Sequence, residues 1–233
     1  MATKKKESAE ITVPALEIKI ATLHIVGNKP LICHAMSQKA KLELLQNQQK
    51  KATKAAEARR PAVEFADSLY WLTEKPNLDN LTDEEAQKIL SEVIPKSKFG
   101  FKSLAFKDAA LTGSFQQGIL AKNAGGSKLA RTTARGAIRL EEEDLVEIEG
   151  DAPIIREDIA KIGSVSKVPS PRYRGEFRNW TVNLRFNYNS TVISLEQIVN
   201  LFNVGGFACG VGEWRPERGG IYGTFHVDSA LIG

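Results

Sequence analysis

The 233-residue chain has only two cysteines, Cys33 and Cys209, and three histidines, His24, His34 and His226. None of these stands at a metal-ligand spacing from another, so neither a disulfide framework nor a structural zinc site is suggested, and both thiols read as small buried hydrophobes. Asp and Glu fall mostly in exposed runs with no clustered ligand set, which speaks against a metal-dependent nuclease; no metal and no cofactor is expected. No apolar run approaches the roughly 20 residues of a membrane helix. The start, Met1-Ala2-Thr3-Lys4-Lys5-Lys6-Glu7-Ser8, lacks the apolar core of a signal peptide. A cytoplasmic protein with no membrane partner is the expectation. No internal repeat is visible, and no glycine cluster ends in the Gly-Lys-Ser/Thr of a P-loop.

Glycine, by contrast, is concentrated. Of the 18 glycines, seven lie in the 19 residues 205–223, interleaved with Trp214, Arg215 and Arg218. Glycine admits positive φ and close approach of another backbone or a ligand, so the segment reads as a surface able to hold a phosphate backbone, with Gly210 and Gly212 at its centre. It follows a helical pattern, Ser194 to Phe202, and precedes an alternating one, Ile221 to Val227. That order is the reverse of the dinucleotide-binding motif. A long connector that uses glycine only for turning is the competing reading.

The net charge is +4, and its distribution matters more than its sum. Residues 119–140 carry Lys122, Lys128, Arg131, Arg135 and Arg139 without an acid, just before Glu141-Glu142-Glu143-Asp144. Such segregation points to a polyanion on one face, against the common alternative of a solvated surface.

Along the chain, Ile18 to Val26 alternates as a strand ending at the turn Gly27-Asn28-Lys29-Pro30. Gln38 to about Arg60 is helical in pattern but poor in apolar positions, and its Lys39 and Lys41 begin a second basic element. Phe65 to Leu72 reads as a short buried element, and Thr82-Asp83-Glu84-Glu85 opens a helix with a capping hydroxyl and acids at the N-terminal dipole. Ser103 to Gln117 is amphipathic through Leu104, Phe106, Ala110, Leu111 and Phe115. Two strands are expected around 134–140 and 145–149, then a loop-rich excursion over 150–175. Trp180 to Tyr188 alternates strictly, as a half-buried strand does. The order strand, helix, strand, strand, helix, strand is the ferredoxin-like α+β plan. One decorated domain over 16–233 is expected after a disordered 1–15, with insertions at about 37–100 and 150–175.

A ferredoxin-like core whose last helix leads through a glycine-rich loop into the final strand resembles the repeat-associated mysterious protein (RAMP) superfamily, the RNA-binding backbone subunits and processing nucleases of CRISPR complexes. The pairing of Ser37-Gln38-Lys39-Ala40-Lys41 with Gly205-Gly206-Phe207 and Gly210-Val211-Gly212-Glu213-Trp214-Arg215-Pro216-Glu217 is similar to a group of uncharacterised proteins of bacteriophage and prophage genomes, over most of the chain. The resemblance implies a phage-type protein acting inside the bacterial host cell. It would bind single-stranded DNA or RNA along a head-to-tail filament of like subunits, with the glycine loop, the segment 30–41 and a projecting thumb at 150–175 lining the groove.

On that reading Lys39, Lys41, Lys128, Arg131, Arg135, Arg172, Arg174, Arg215 and Arg218 meet phosphates, and Tyr173 and Trp214 stack on bases. Trp214 beside Pro216 could equally anchor the loop to the core, and Arg156 beside Glu157 and Asp158 reads as paired within the protein. Target-cleaving members of the superfamily carry a catalytic Asp after the first strand, whereas 27–38 holds no Asp or Glu. The chain is therefore not expected to be an enzyme. A RAMP-like metal-independent endoribonuclease using His34 as general acid or base is one alternative. An anti-defence protein that sequesters a nucleotide signal or mimics a CRISPR subunit is another.

Overall fold

Strand Ile18–Gly27 (β1) buries Ala21, Leu23 and Ile25 on one face, and Trp180–Asn189 (β9) lies antiparallel to it with Val182 opposite Ile25 and Leu184 opposite Leu23. These two strands are the centre of an α+β fold. The computed structural model describes residues 15–36, 41, 45, 59–122, 128–141, 144–162 and 168–228. The expected 1–15 tail and nearly all of the expected helix 38–60, Lys39 included, fall outside them; Lys41 is helical and exposed.

In chain order the remaining strands are Leu31–Cys33 (β2), Tyr70–Trp71 (β3), Phe99–Lys102 (β4), Ile138–Leu140 (β5), Leu145–Gly150 (β6), Ile154–Ile162 (β7), Val168–Phe177 (β8) and Phe225–Val227 (β10). The first sheet runs β10-β1-β9-β6-β4-β3, with β5 also pairing β9, and the second runs β2-β8-β7. Every strand pairing in both sheets is antiparallel. Helices are Pro61–Ser68 (α1), Asp83–Val93 (α2), Ser103–Gln116 (α3), Arg131–Ala137 (α4) and Leu195–Ala208 (α5).

Two of these helices start where local chemistry says they should. Thr82 and Ser194 each close a capping box, with Glu85 and Gln197 returning the hydrogen bond; such a cap contributes about 1 kcal/mol. α3 and α5 lie against each other and cover the apolar face of the first sheet, burying Phe106, Phe202 and Phe225, with the Phe106 and Phe225 rings 5.6 Å apart edge to face. Leu104, expected on the apolar face of α3, is instead 56% exposed.

Several elements differ from the sequence reading. Residues 131–137 are helical rather than extended, because a turn of helix buries Ala134 and Ala137 together and leaves Arg131 and Arg135 one turn apart on another face. Gly205 and Gly206 are the end of α5, not loop: a Cβ on Gly205 would lie 2.4 Å from Ala110 Cα, and one on Gly206 2.1 Å from the Phe225 carbonyl oxygen. Their lack of a side chain serves helix and strand packing inside the protein. The closing strand is only three residues long. Phe65 to Leu72 divides between α1 and β3. The excursion 150–175 is mostly ordered sheet, the β7–β8 hairpin, whose β8 packs under α1.

The other face of the first sheet is open. Its outward positions on β1 and β9 include Ile18, Ile20, His24, Asn183 and Arg185, none of them aromatic. His24 and Glu149 are both hydrogen-bonded to the Asn183 amide there.

Candidate functional site

α3 and α4, the end of β4, the exit of β2 and the loop after α5 line an open cavity of about 500 Å3. The loop after α5 carries the strongest sequence signal. Gly210 and Gly212 both have positive φ, at 66° and 77°. Yet the Gly210 amide donates to Gly205 O, Val211 to Gly223 O and Glu213 to Ile32 O, so of these four successive amides only that of Gly212 has no partner among the described residues. A phosphate cradle needs several free N–H groups, and this loop spends most of its own on holding itself to β2 and to α5. A Cβ on Gly212 would come within 2.6 Å of the Ile32 carbonyl oxygen, so any substitution there breaks the seat of the loop whatever it does to a ligand.

Charge, not free backbone, gives the cavity its character. Lys102, Arg131, Arg135 and Arg215 line it from three separate stretches of backbone, with His34 at the β2 exit. Arg131 donates to Thr112 Oγ1 at 2.7 Å and its guanidinium lies 5.5 Å from the Phe115 ring centre, while its Nε is buried without a partner. Arg135, a turn further along α4, is exposed and makes no hydrogen bond or ion pair among the described residues. Lys102 stands 5.8 Å over the Tyr70 ring. Arg215 is engaged by Glu217 at 2.7 Å and by the Gly212 carbonyl at 2.9 Å, so part of its charge is answered within the loop.

The other expected contacts divide. Lys128 is exposed but donates to Gly118 O, outside the cavity. Arg218 is exposed and Trp214 is 41% exposed, and neither lines it. Trp214 holds a positive φ of 52°, fixed by the Tyr222 amide on its carbonyl, with Gly220 packed so closely that a Cβ there would overlap that oxygen. The backbone of Trp214 is an anchor and its ring remains partly accessible.

On β8, Arg172 and Arg174 share one face and Tyr173 takes the other. Arg174 is 8% exposed and sits 3.5 Å from Asp158. Arg156, as expected, is paired inside the protein: it bridges Asp158 at 3.0 Å and Glu176 at 2.7 Å, with its guanidinium 4.5 Å from the Tyr222 ring centre. This cluster clasps the glycine-bearing loop to the second sheet.

Desolvation, followed by the Arg174 charge, lowers the His34 pKa; Glu213 pulls it up more weakly and Arg172 adds to the lowering. The folded protein therefore binds fewer protons at His34 than the unfolded chain does. This residue's contribution to stability is complete above the ordinary imidazole value and is lost as pH falls through the lowered folded value. A phosphate entering the cavity would favour the imidazolium, so binding should take up a proton. If the cavity holds phosphate, affinity for a phosphate-bearing ligand should rise a few-fold from pH 7.5 to pH 5.5, and His34→Ala should flatten that rise; an unchanged pH profile in the variant would remove His34 from the site.

Burial raises the thiol pKa of both Cys33 and Cys209, which leaves neither a thiolate nucleophile near neutral pH. Among the described residues no group of His, Cys, Asp and Glu is arranged to hold a metal ion. Asp108, Thr112 and Glu213 belong to the cavity and escaped the sequence reading; for Arg131 and Arg135 the acid-free stretch 119–140 was the signal. No family model matches the chain, and a search of curated proteins finds no match to it either.

Proposed function

We propose that the protein binds single-stranded nucleic acid, DNA or RNA, with the cavity and its cationic rim as the phosphate-binding surface. The observation that carries this is the convergence of Lys102, Arg131, Arg135 and Arg215 on one opening. The cavity falls in the size range of small-ligand sites, so it suits one unstacked nucleotide rather than a rigid duplex, while the rest of the strand would follow the rim. The open face of the first sheet is the less suitable surface, since β1 and β9 offer no outward aromatic for stacking.

The strand order β10-β1-β9-β6, all antiparallel, with α3 and α5 on one face, supports a ferredoxin-like core of the RAMP type. The β7–β8 hairpin is the thumb of that comparison. A phage-type coat protein assembling head to tail is the corresponding biological reading. Exposed apolar side chains at Phe207, 81%, and Ile159, 71%, are candidates for subunit contacts.

Fluorescence anisotropy with a labelled oligonucleotide at rising salt tests the binding. Affinity should fall with a log–log slope of about −0.7 per phosphate contact for a single strand. A flat plot, or tighter binding to duplex, overturns the proposal. Light scattering with long single strands should show assemblies that grow with strand length if the protein coats them. One observation favours a second reading: an open cavity of about 500 Å3 also has room for a free nucleotide, as a protein that sequesters a nucleotide signal would need. Competition of a mononucleotide against the oligonucleotide separates the two.

A further inference from the structure

The cavity holds carboxylates as well as cations. Asp108, Glu213 and Glu217 line it, and among the described residues only Glu217 of these is ion-paired, to Arg215. The carboxylates of Asp108 and Glu213 make no hydrogen bond or ion pair among the described residues. Two negative charges that line the same cavity as Arg131 and Arg135 oppose a ligand that is only phosphate. They fit a ligand that is anionic at one end and rich in N–H donors at the other.

Nucleobases differ in this respect. Guanine presents a ring N–H and an amino group side by side, and can donate both to one carboxylate. Cytosine and adenine present an amino group next to an acceptor nitrogen, which a carboxylate repels, and uracil or thymine presents one N–H between two carbonyls. Ala105 and Ala109, adjacent turns on the cavity face of α3, provide a small-residue apolar wall against which a planar base can lie. We propose that the cavity receives a guanine nucleotide, with the base N–H edge on Asp108 or Glu213 and the phosphate on Arg131 and Arg135. The inference rests on the single-strand reading and names the base that the same site prefers.

Calorimetric titration of the full chain with GMP, AMP, CMP and UMP tests it, alongside binding of oligo-dT to the wild-type protein. GMP should bind at least tenfold more tightly than UMP. The GMP to UMP ratio should fall toward one in Glu213→Gln or in Asp108→Asn, whichever carboxylate takes the base edge, with a circular dichroism melt to verify each fold. Equal binding of GMP and UMP to the wild-type protein overturns the guanine assignment, as does a ratio that survives in both variants. Oligo-dT binding without base discrimination removes this inference and leaves the single-strand reading standing. Failure of oligo-dT and of all four nucleotides removes both. The wild-type comparison needs no variant, so a substitution that unfolds the chain does not shield the proposal.

Discussion

Gly205→Val should prevent stable folding, whereas Gly136→Ala, a glycine substitution elsewhere in the same protein, should stabilise it. At position 205 the added Cβ would meet Ala110 Cα at 2.4 Å and Ala110 N at 2.5 Å. These are backbone atoms of α3, which no rotamer change can move aside. α3 and α5 would have to separate, and with them the packing of Phe106, Leu111, Leu201 and Phe202, all buried between the helices and the sheet. Ordinary overpacking costs about 1–3 kcal/mol, and forcing two helix backbones apart exceeds that range. Against a total stability of about 5–15 kcal/mol the loss is decisive. Gly136 is an exposed position of α4, and a Cβ added there would find no atom within 4 Å, so its replacement by Ala should gain up to about 1 kcal/mol from helix propensity. Thermal melts of the two variants check both signs. A Gly205→Val protein that melts like wild type would mean that the two helices are not in close contact.

The second large effect concerns binding. Arg131→Gln with Arg135→Gln removes two cations that α4 places at the cavity while leaving Ala134 and Ala137 to hold the helix. Each charge-assisted contact is worth about 1.5 kcal/mol or more, so the double variant should bind single strands about a hundredfold more weakly at low salt. Its salt slope should be shallower by about 1.4, two contacts at about 0.7 each. Arg139 gives the comparison. It is exposed on β5, in register with Asn187 of β9, and does not line the cavity. Arg139→Gln should leave affinity almost unchanged. If it weakens binding as much as the double variant does, the strand runs across the open sheet face and the cavity is not its site.

How much of this was legible depended on whether each element kept to its own period. β9 was plain, because every second residue from Trp180 to Tyr188 is buried. The starts of α2 and α5 were plain, because the Thr82 hydroxyl with its following acids and the helical pattern from Ser194 are local signals. The end of α5 was not: Gly205 and Gly206 are poor helix formers, and only α3 and β10, each distant or folded back in space, explain why nothing larger fits. The β7–β8 hairpin was hidden for the opposite reason, since Arg156, Asp158, Arg174 and Glu176 occupy inward positions and answer one another there, so its buried residues read as loop charge. The cationic half of the cavity was visible as a run without acids. Its carboxylates were not, because Asp108 and Glu213 come to line one cavity only once α3 and the loop after α5 are in place.

The pairing of β1 with β9 and β10 sets the timetable of folding. His24 and Asn183 touch across the sheet from 159 positions apart, and Asn28 and His226 from 198. A ribosome must therefore reach Trp180–Asn189 before β1 acquires β9, and Phe225–Val227 before it acquires β10. Until then β1 waits with Leu23 and Ile25 uncovered and both of its hydrogen-bonding edges open. Contacts that span so much sequence make for slow folding, and an exposed strand invites the wrong partner in the interval. Truncations before Trp180 should be aggregation-prone and not merely inactive, and yield in the cell should depend on how quickly synthesis reaches the last strand.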